Sequence, residues 1–351
     1  MSQLHFIIPG DPDTRTGGYL YDKKIISGLT ALGWMVTRHI LGVGFPRPDA
    51  AELAEARNIL GRLPDNGLVV VDGLALGGMP DLISEQANRL RIIGLIHHPL
   101  AEETGLNARE RMQLYHSERA ALASVARVIV TSPTTARTLQ KEYAVTVDRI
   151  GVVLPGTDPV PQARGSSSPS LTLLCVASFT PRKGHAILFE ALAQLQDRPW
   201  GLVCIGSLDR DPATVKAINQ QLASLNLRER VDLIGELEPS RLAEHYQRAD
   251  LFVLPSYLEG YGMALAEALA CGLPIVSTTG GAIPETVPAD AGLLIPPGDS
   301  VALRDGLAQL MDDDGLRRRL AQGARNAGLA LPSWETACTQ FVQELEKAAS
   351  R

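Results

Sequence analysis

Short apolar runs alternate with amphipathic stretches along the whole 351-residue chain. Leu4–Pro9, Trp34–Leu41, Leu68–Val71, Arg91–Ile96, Val128–Thr131 and Ile150–Leu154 read as buried strands. Their Val, Ile and Leu content suits a sheet covered on both faces. The stretch from about Tyr19 to Leu32 has helical spacing, with the Gly17-Gly18 pair expected as a loop ahead of it. Strand, helix, strand in this rhythm predicts a parallel sheet with helices on both faces. The segment Pro155–Ser170, rich in Pro, Gly and Ser, interrupts the rhythm and reads as a connection. The pattern then restarts with strands Leu171–Ala177, Gly201–Gly206, Val231–Gly235, Leu251–Leu254 and Pro274–Ser277, and a helix from about His185 to Leu195. The fold class expected is α/β, with two Rossmann-like, doubly wound parallel-sheet domains at residues 1–160 and 161–333. The remaining stretch, Trp334–Lys347, is amphipathic.

Ligands of open parallel sheets bind beyond the carboxyl ends of the strands. Two such sheets facing across a hinge would make a cleft, so chemistry is expected in strand-to-helix loops of both halves. Composition narrows the classes. At 45% hydrophobic and 21% charged residues the chain is globular rather than disordered. A net charge of −6 argues against nucleic acid as a partner. No run approaches the ~18 apolar residues of a membrane span, and no leader pattern opens the chain, so a cytoplasmic location is expected. Four scattered cysteines (Cys175, Cys204, Cys271, Cys338) sit at neither metal-ligand nor redox spacing and read as reduced, mostly buried thiols.

The richest stretch is SYLEGYGMALAEALAC, Ser256–Cys271. Gly260 and Gly262 permit a tight turn after a strand, and from about Met263 the pattern is helical. The unpaired N–H groups of such a helix start form an anion site without any side chain. Glu259 precedes the turn and Glu267 lies one to two turns into the helix. Carboxylates accept hydrogen bonds from vicinal sugar hydroxyls. Donors for phosphates beside acceptors for two sugar rings are what a nucleotide sugar requires.

Glu259 and Glu267, with seven residues between them, form an E-x7-E element, and EGYGMALAEALACGLPIVSTTGGAIPE surrounds it. This run resembles the extended signature of retaining glycosyltransferases of the GT-B fold, family 4. The resemblance extends from the Gly17-Gly18 pair to about Trp334. It implies that Glu259 contacts donor-sugar hydroxyls, that Glu267 holds the nucleotide ribose, and that backbone amides of Gly260 and of Gly262 to Ala264, Met263 included, reach the sugar and diphosphate. It also implies that the last helix crosses back onto the first domain.

Lys183, in SFTPRKGH, adds a cation at a helix start and can neutralise a diphosphate. Relatives commonly carry Arg where this chain has Ser178, so Arg182 is the alternative phosphate contact. Gly17 and Gly18 resemble the family's glycine pair near donor phosphate and acceptor. Strand Arg91–Ile96 ends in His97-His98-Pro99, and the resemblance assigns His97 a place near the donor sugar, with His98 as the weaker candidate. Asp72 and Glu103 are further carboxylates for the acceptor. Asp209/Asp211 and Asp11/Asp13 form D-x-D patterns, but neither reads as a metal site, and neither a metal nor a cofactor is expected. The expected partners are a nucleotide-sugar donor and a small or glycan acceptor. The segment Asp49–Arg62 lacks a basic patch, so a soluble acceptor is favoured and membrane association is not expected. The alternatives are a GT-B sugar-nucleotide epimerase or phosphorylase, and a non-catalytic nucleotide-sugar-binding protein.

Overall fold

The computed structural model describes residues 2–350. The described chain divides into two compact units, one of residues 2–156 with 332–350 and one of residues 157–331.

The leading unit has a six-stranded sheet: β1 (Gln3–Pro9), β2 (Met35–Leu41), β3 (Leu68–Asp72), β4 (Arg91–Ile96), β5 (Arg127–Val130) and β6 (Ile150–Val152), in the order β2-β1-β3-β4-β5-β6. Every neighbouring pair is parallel. Helices α1 (Gly17–Ala31), α2 (Ala50–Arg62), α3 (Gly73–Gly78), α4 (Pro80–Gln86), α5 (Ala108–Ser124) and α6 (Pro133–Glu142) make the crossovers. The glycine pair expected as a loop is the first turn of α1. Thr16, with extended backbone, caps the helix by accepting from the Tyr19 amide, which lets it begin at Gly17.

The C-terminal helix, Trp334–Ala349, belongs to this unit and packs on α1. A Cβ at Gly28 would lie 2.1 Å from the Cys338 Sγ, so glycine sets how closely the two helices approach. Buried Arg127 pairs with Glu344 of that helix and donates to the Asp148 carbonyl at 2.9 Å.

In the trailing unit β7 (Leu171–Val176), β8 (Trp200–Ile205), β9 (Val231–Ile234), β10 (Leu251–Leu254), β11 (Ile275–Thr278) and β12 (Gly292–Ile295) form a second parallel sheet, ordered β12-β11-β10-β7-β8-β9. Around it lie α7 (His185–Ala193), α8 (Pro212–Ser224), α9 (Pro239–Arg248), α10 (Met263–Ala270), α11 (Ile283–Thr286), α12 (Ser300–Asp312) and α13 (Asp314–Ala330). Strand β12 is absent from the sequence reading. A four-residue run without alternation is a weak signal, and here pairing with β11 decides it. Of the acids in the two D-x-D patterns, Asp211 caps α8 through the Thr214 amide and Asp13 pairs with Lys23.

Candidate functional site

In the trailing unit two loops at the carboxyl ends of neighbouring strands meet. One follows β7 and carries Arg182 and Lys183 in a single 3-10 turn, Pro181–Lys183. The other follows β10 and carries Ser256 to Gly262. Gly184, at φ +72°, joins the first loop to α7, and a Cβ there would stand 2.1 Å from the Pro255 carbonyl oxygen. Only glycine allows that contact between the loops.

Lys183 Nζ donates to Glu259 Oε1 at 2.6 Å, and Ser256 Oγ donates to the same oxygen at 2.6 Å. Arg182 Nη1 lies 3.7 Å from Oε2 and donates to the Leu258 carbonyl at 2.8 Å. Arg182 therefore braces the 257–259 turn, whose Tyr257 amide returns a bond to the Arg182 carbonyl. Glu259 is buried. Burial alone would raise its carboxyl, but Lys183, Arg182 and Ser256 outweigh it and hold the group below its ordinary value. Ser256 was not singled out in the sequence, though it stands three residues before Glu259 in the same turn.

Beyond Glu259 the chain passes Gly260 and Tyr261, whose carbonyl accepts from Thr286 Oγ1 at 2.6 Å. Gly262 adopts φ +92° as the N-cap of α10. The first intrahelical bond runs from the Leu265 amide to the Gly262 carbonyl at 2.9 Å. The amides of Met263 and Ala264 precede it, in the position of helix-start donors. Glu267, half-buried on α10, accepts from Tyr246 Oη at 2.8 Å. Burial first, and then the charge of Glu267, push the Tyr246 phenol well above its usual range, so it remains a donor. Tyr246 comes from α9, and nothing in the local pattern announces it.

The leading unit gathers a second group at the carboxyl ends of its strands. His97 follows β4, Asp72 ends β3, and Asp22 lies in α1 one turn beyond Gly18. Nε2 of His97 is 3.3 Å from Asp22 Oδ1 and 3.6 Å from Asp72 Oδ2. Gly18 is in contact: a Cβ there would lie 3.2 Å from His97 Cδ2. Burial pushes the His97 ring down, yet the two carboxylates prevail and its value is raised. The Asp72 carboxyl is raised to about 7, by burial first and by Asp22 second. His98 pairs instead with Glu103, at 3.4 Å. Asp22 was missed in the sequence because its partners are distant along the chain.

Two clusters among the described residues have ligand-type atoms within 4.8 Å of one another. One is Asp22, Asp72 and His97, where an oxygen of each carboxyl group lies within 4 Å of one imidazole nitrogen. The other is Cys175, His185 and Cys204, all buried. The β7–β8 register sets Cys175 beside Cys204, and His185 Nε2 is 3.8 Å from Cys175 Sγ, a proximity that linear spacing does not reveal.

Residues 158–327 match the model of a family described as glycosyl transferases group 1. This part of the chain belongs to the glycosyl transferases group 1 family. It contains both loops of the trailing unit. A D-inositol 3-phosphate glycosyltransferase of Xylanimonas cellulosilytica is 32% identical over 233 residues, covering 62% of this chain and 55% of that protein. An MMP alpha-(1->4)-mannosyltransferase of Mycolicibacterium hassiacum is 27% identical over 323 residues, covering 88% and 77%. The chain spans about half the length of several other curated relatives it matches, for example 50% of a Corynebacterium diphtheriae protein. Among solved structures, sucrose-phosphate synthase from Thermosynechococcus elongatus superposes with a TM-score of 0.83 at 23% identity, over 98% of each chain. Anabaena HepE in complex with UDP and glucose does so with a TM-score of 0.77 at 18% identity, over 97% of this chain and 99% of that one. These likenesses show the two-unit GT-B fold.

Proposed function

We propose that the chain is a retaining glycosyltransferase that moves a hexose from a nucleoside-diphosphate sugar to a hydroxyl of a soluble acceptor, without a metal ion. One observation carries the reading: buried Glu259, bound to Lys183, lies in the turn that runs into the N-cap Gly262 and the helix-start amides of Met263 and Ala264. Amides and a lysine stabilise a departing diphosphate electrostatically. In this reading Glu259 holds sugar hydroxyls and gives up part of its contact with Lys183 when the donor's phosphates arrive. Glu267, set by Tyr246, accepts from the ribose hydroxyls. His97 serves the reacting sugar. Glu259 and Glu267 lie on successive segments of one unit, so they do not form the opposed carboxylate pair of a glycoside hydrolase. The leaving phosphate oxygen takes the acceptor's proton as the new bond forms on the same face.

The names of the curated relatives support the reaction class. The test is incubation with UDP-, GDP- and ADP-sugars plus hydroxyl acceptors, with product configuration read by NMR. A product with the donor's anomeric configuration is expected, and EDTA is expected to leave turnover unchanged. An inverted product, or loss of turnover on chelation, would contradict the proposal. Product formation from donor and inorganic phosphate alone would favour a phosphorylase instead.

A further inference from the structure

Asp22 is 1% exposed, and both its carboxylate oxygens lack a hydrogen-bond partner. Nε2 of His97 is also buried without an aligned partner, although it stands 3.3 Å from Asp22 Oδ1. The two groups thus stand within ion-pair distance without forming a well-directed hydrogen bond. An isolated ionised carboxylate in such surroundings is costly, and pairing with a cation offsets the cost. The cation available is His97, whose side chain is 20% exposed. Asp72 supports the same nitrogen at 3.6 Å while its Oδ1 accepts from the Leu74 amide at 2.9 Å.

The other ring contacts seen among the described residues are with uncharged groups. Tyr21, on α1, meets it edge-on at 5.4 Å and donates to the Val153 carbonyl at 3.1 Å. Trp334, at the start of the C-terminal helix, packs on Tyr21 at 6.0 Å, with Lys24 Nζ 5.7 Å from its ring centre. Thr131 Oγ1, after β5, donates to the His97 carbonyl at 3.3 Å. Gly18 leaves the ring face uncovered by a Cβ.

We propose that Asp22, supported by Asp72, is a positioning residue that keeps His97 doubly protonated, with Nε2–H toward the carboxylates and Nδ1–H presented on the opposite edge to a substrate oxygen. The inference rests on the proposed transferase reading only for what that oxygen is. The charge state of His97 can be measured without any turnover. Asp22 acts through His97 and does not itself reach substrate. The raised value of the His97 ring agrees with this arrangement.

The sign follows from the pairing. A donor imidazolium is lost as pH rises through its folded value, so removing the Asp22 charge moves that loss to lower pH. The experiment is an NMR titration of His97 in the wild-type chain, in Asp22→Asn and in Asp72→Asn, with the resonance assigned through His97→Gln. Wild-type His97 is expected to titrate above its ordinary value of 6.5. Asp22→Asn should lower it by ~1–3 units, the usual effect of an opposite charge at this range. Asp72→Asn should lower it by less. The basic limb of the pH–rate profile should move in the same direction in each variant. A wild-type His97 that titrates at or below 6.5, or an Asp22→Asn variant that titrates like wild type, overturns the proposal. If Asp22→Asn does not fold, the wild-type value and Asp72→Asn still decide it. Absence of turnover with every donor would refute the transferase reading and leave the titration result standing.

Discussion

At Glu259 two opposing effects act on one carboxyl: burial favours the neutral form, while Lys183, Arg182 and Ser256 favour the anion and prevail. The consequence for stability has a definite sign. A carboxyl whose folded value is depressed contributes stability above its unfolded value, and that contribution is lost as pH falls through the folded one. Glu259→Gln leaves Lys183, with 17% of its side chain exposed, without its closest counter-charge. Breaking such a pair costs about 3 kcal/mol or more, so the denaturant midpoint should fall. Turnover should fall at least ~100-fold, the scale of losing one fixed electrostatic contact to a transition state. Near-normal turnover would remove Glu259 from the mechanism. Local spacing made Glu259 and Glu267 legible in the sequence, because strand, turn and helix start are contiguous. Tyr246 and Asp22 were not legible, since their partners come from other elements.

Among elements, the clearest departure from local propensity is α3. Residues 73–78 read GLALGG, and three glycines in six residues argue against a helix. The helix forms because Asp72 caps it and because Gly77 must be small: a Cβ there would lie 2.4 Å from Leu100 Cδ1. Tertiary packing overrides propensity at this point.

Close by, the carboxylate of Glu118 on α5 accepts from the Leu100 amide at 2.9 Å, which anchors the segment that follows His97. Burial pushes Glu118 from 4.5 up to about 8. The folded state then holds a proton that the unfolded chain releases, so this group's contribution to stability falls as pH rises from about 4.5 to 8. Glu118→Gln should therefore match wild type near pH 5 and unfold at higher denaturant than wild type at pH 8.5. A constant difference between the two across that range would contradict the assignment. The C-terminal helix offers a second test. Glu344→Ala strands buried Arg127 and should destabilise the leading unit by about 3–5 kcal/mol, read as an earlier unfolding transition. A transition unchanged from wild type would show that the pair does not hold that helix.

For the whole molecule, the strand–helix rhythm was enough to predict two parallel sheets, because buried parallel strands are continuous apolar runs and the connections are short. Even the restart after Pro155–Ser170 was visible, and the structure turns from one unit to the other between residues 156 and 157. The family match covers residues 158–327, the part whose signature is local. The leading unit carries no comparable run, and its polar group of Asp22, Asp72 and His97 exists only once the sheet has assembled. The net charge of −6 suits a small anionic donor only where Lys183 and helix-start amides concentrate positive potential. Every role proposed for these residues therefore requires donor binding by the trailing unit. Calorimetric titration of the purified chain with UDP-, GDP- and ADP-sugars tests it most directly. Saturable binding of one of them is expected, weakened at least ~10-fold in Glu267→Ala, as loss of a hydrogen bond to a charged group implies. Binding of none by the wild-type chain, or equal binding by Glu267→Ala, would contradict it.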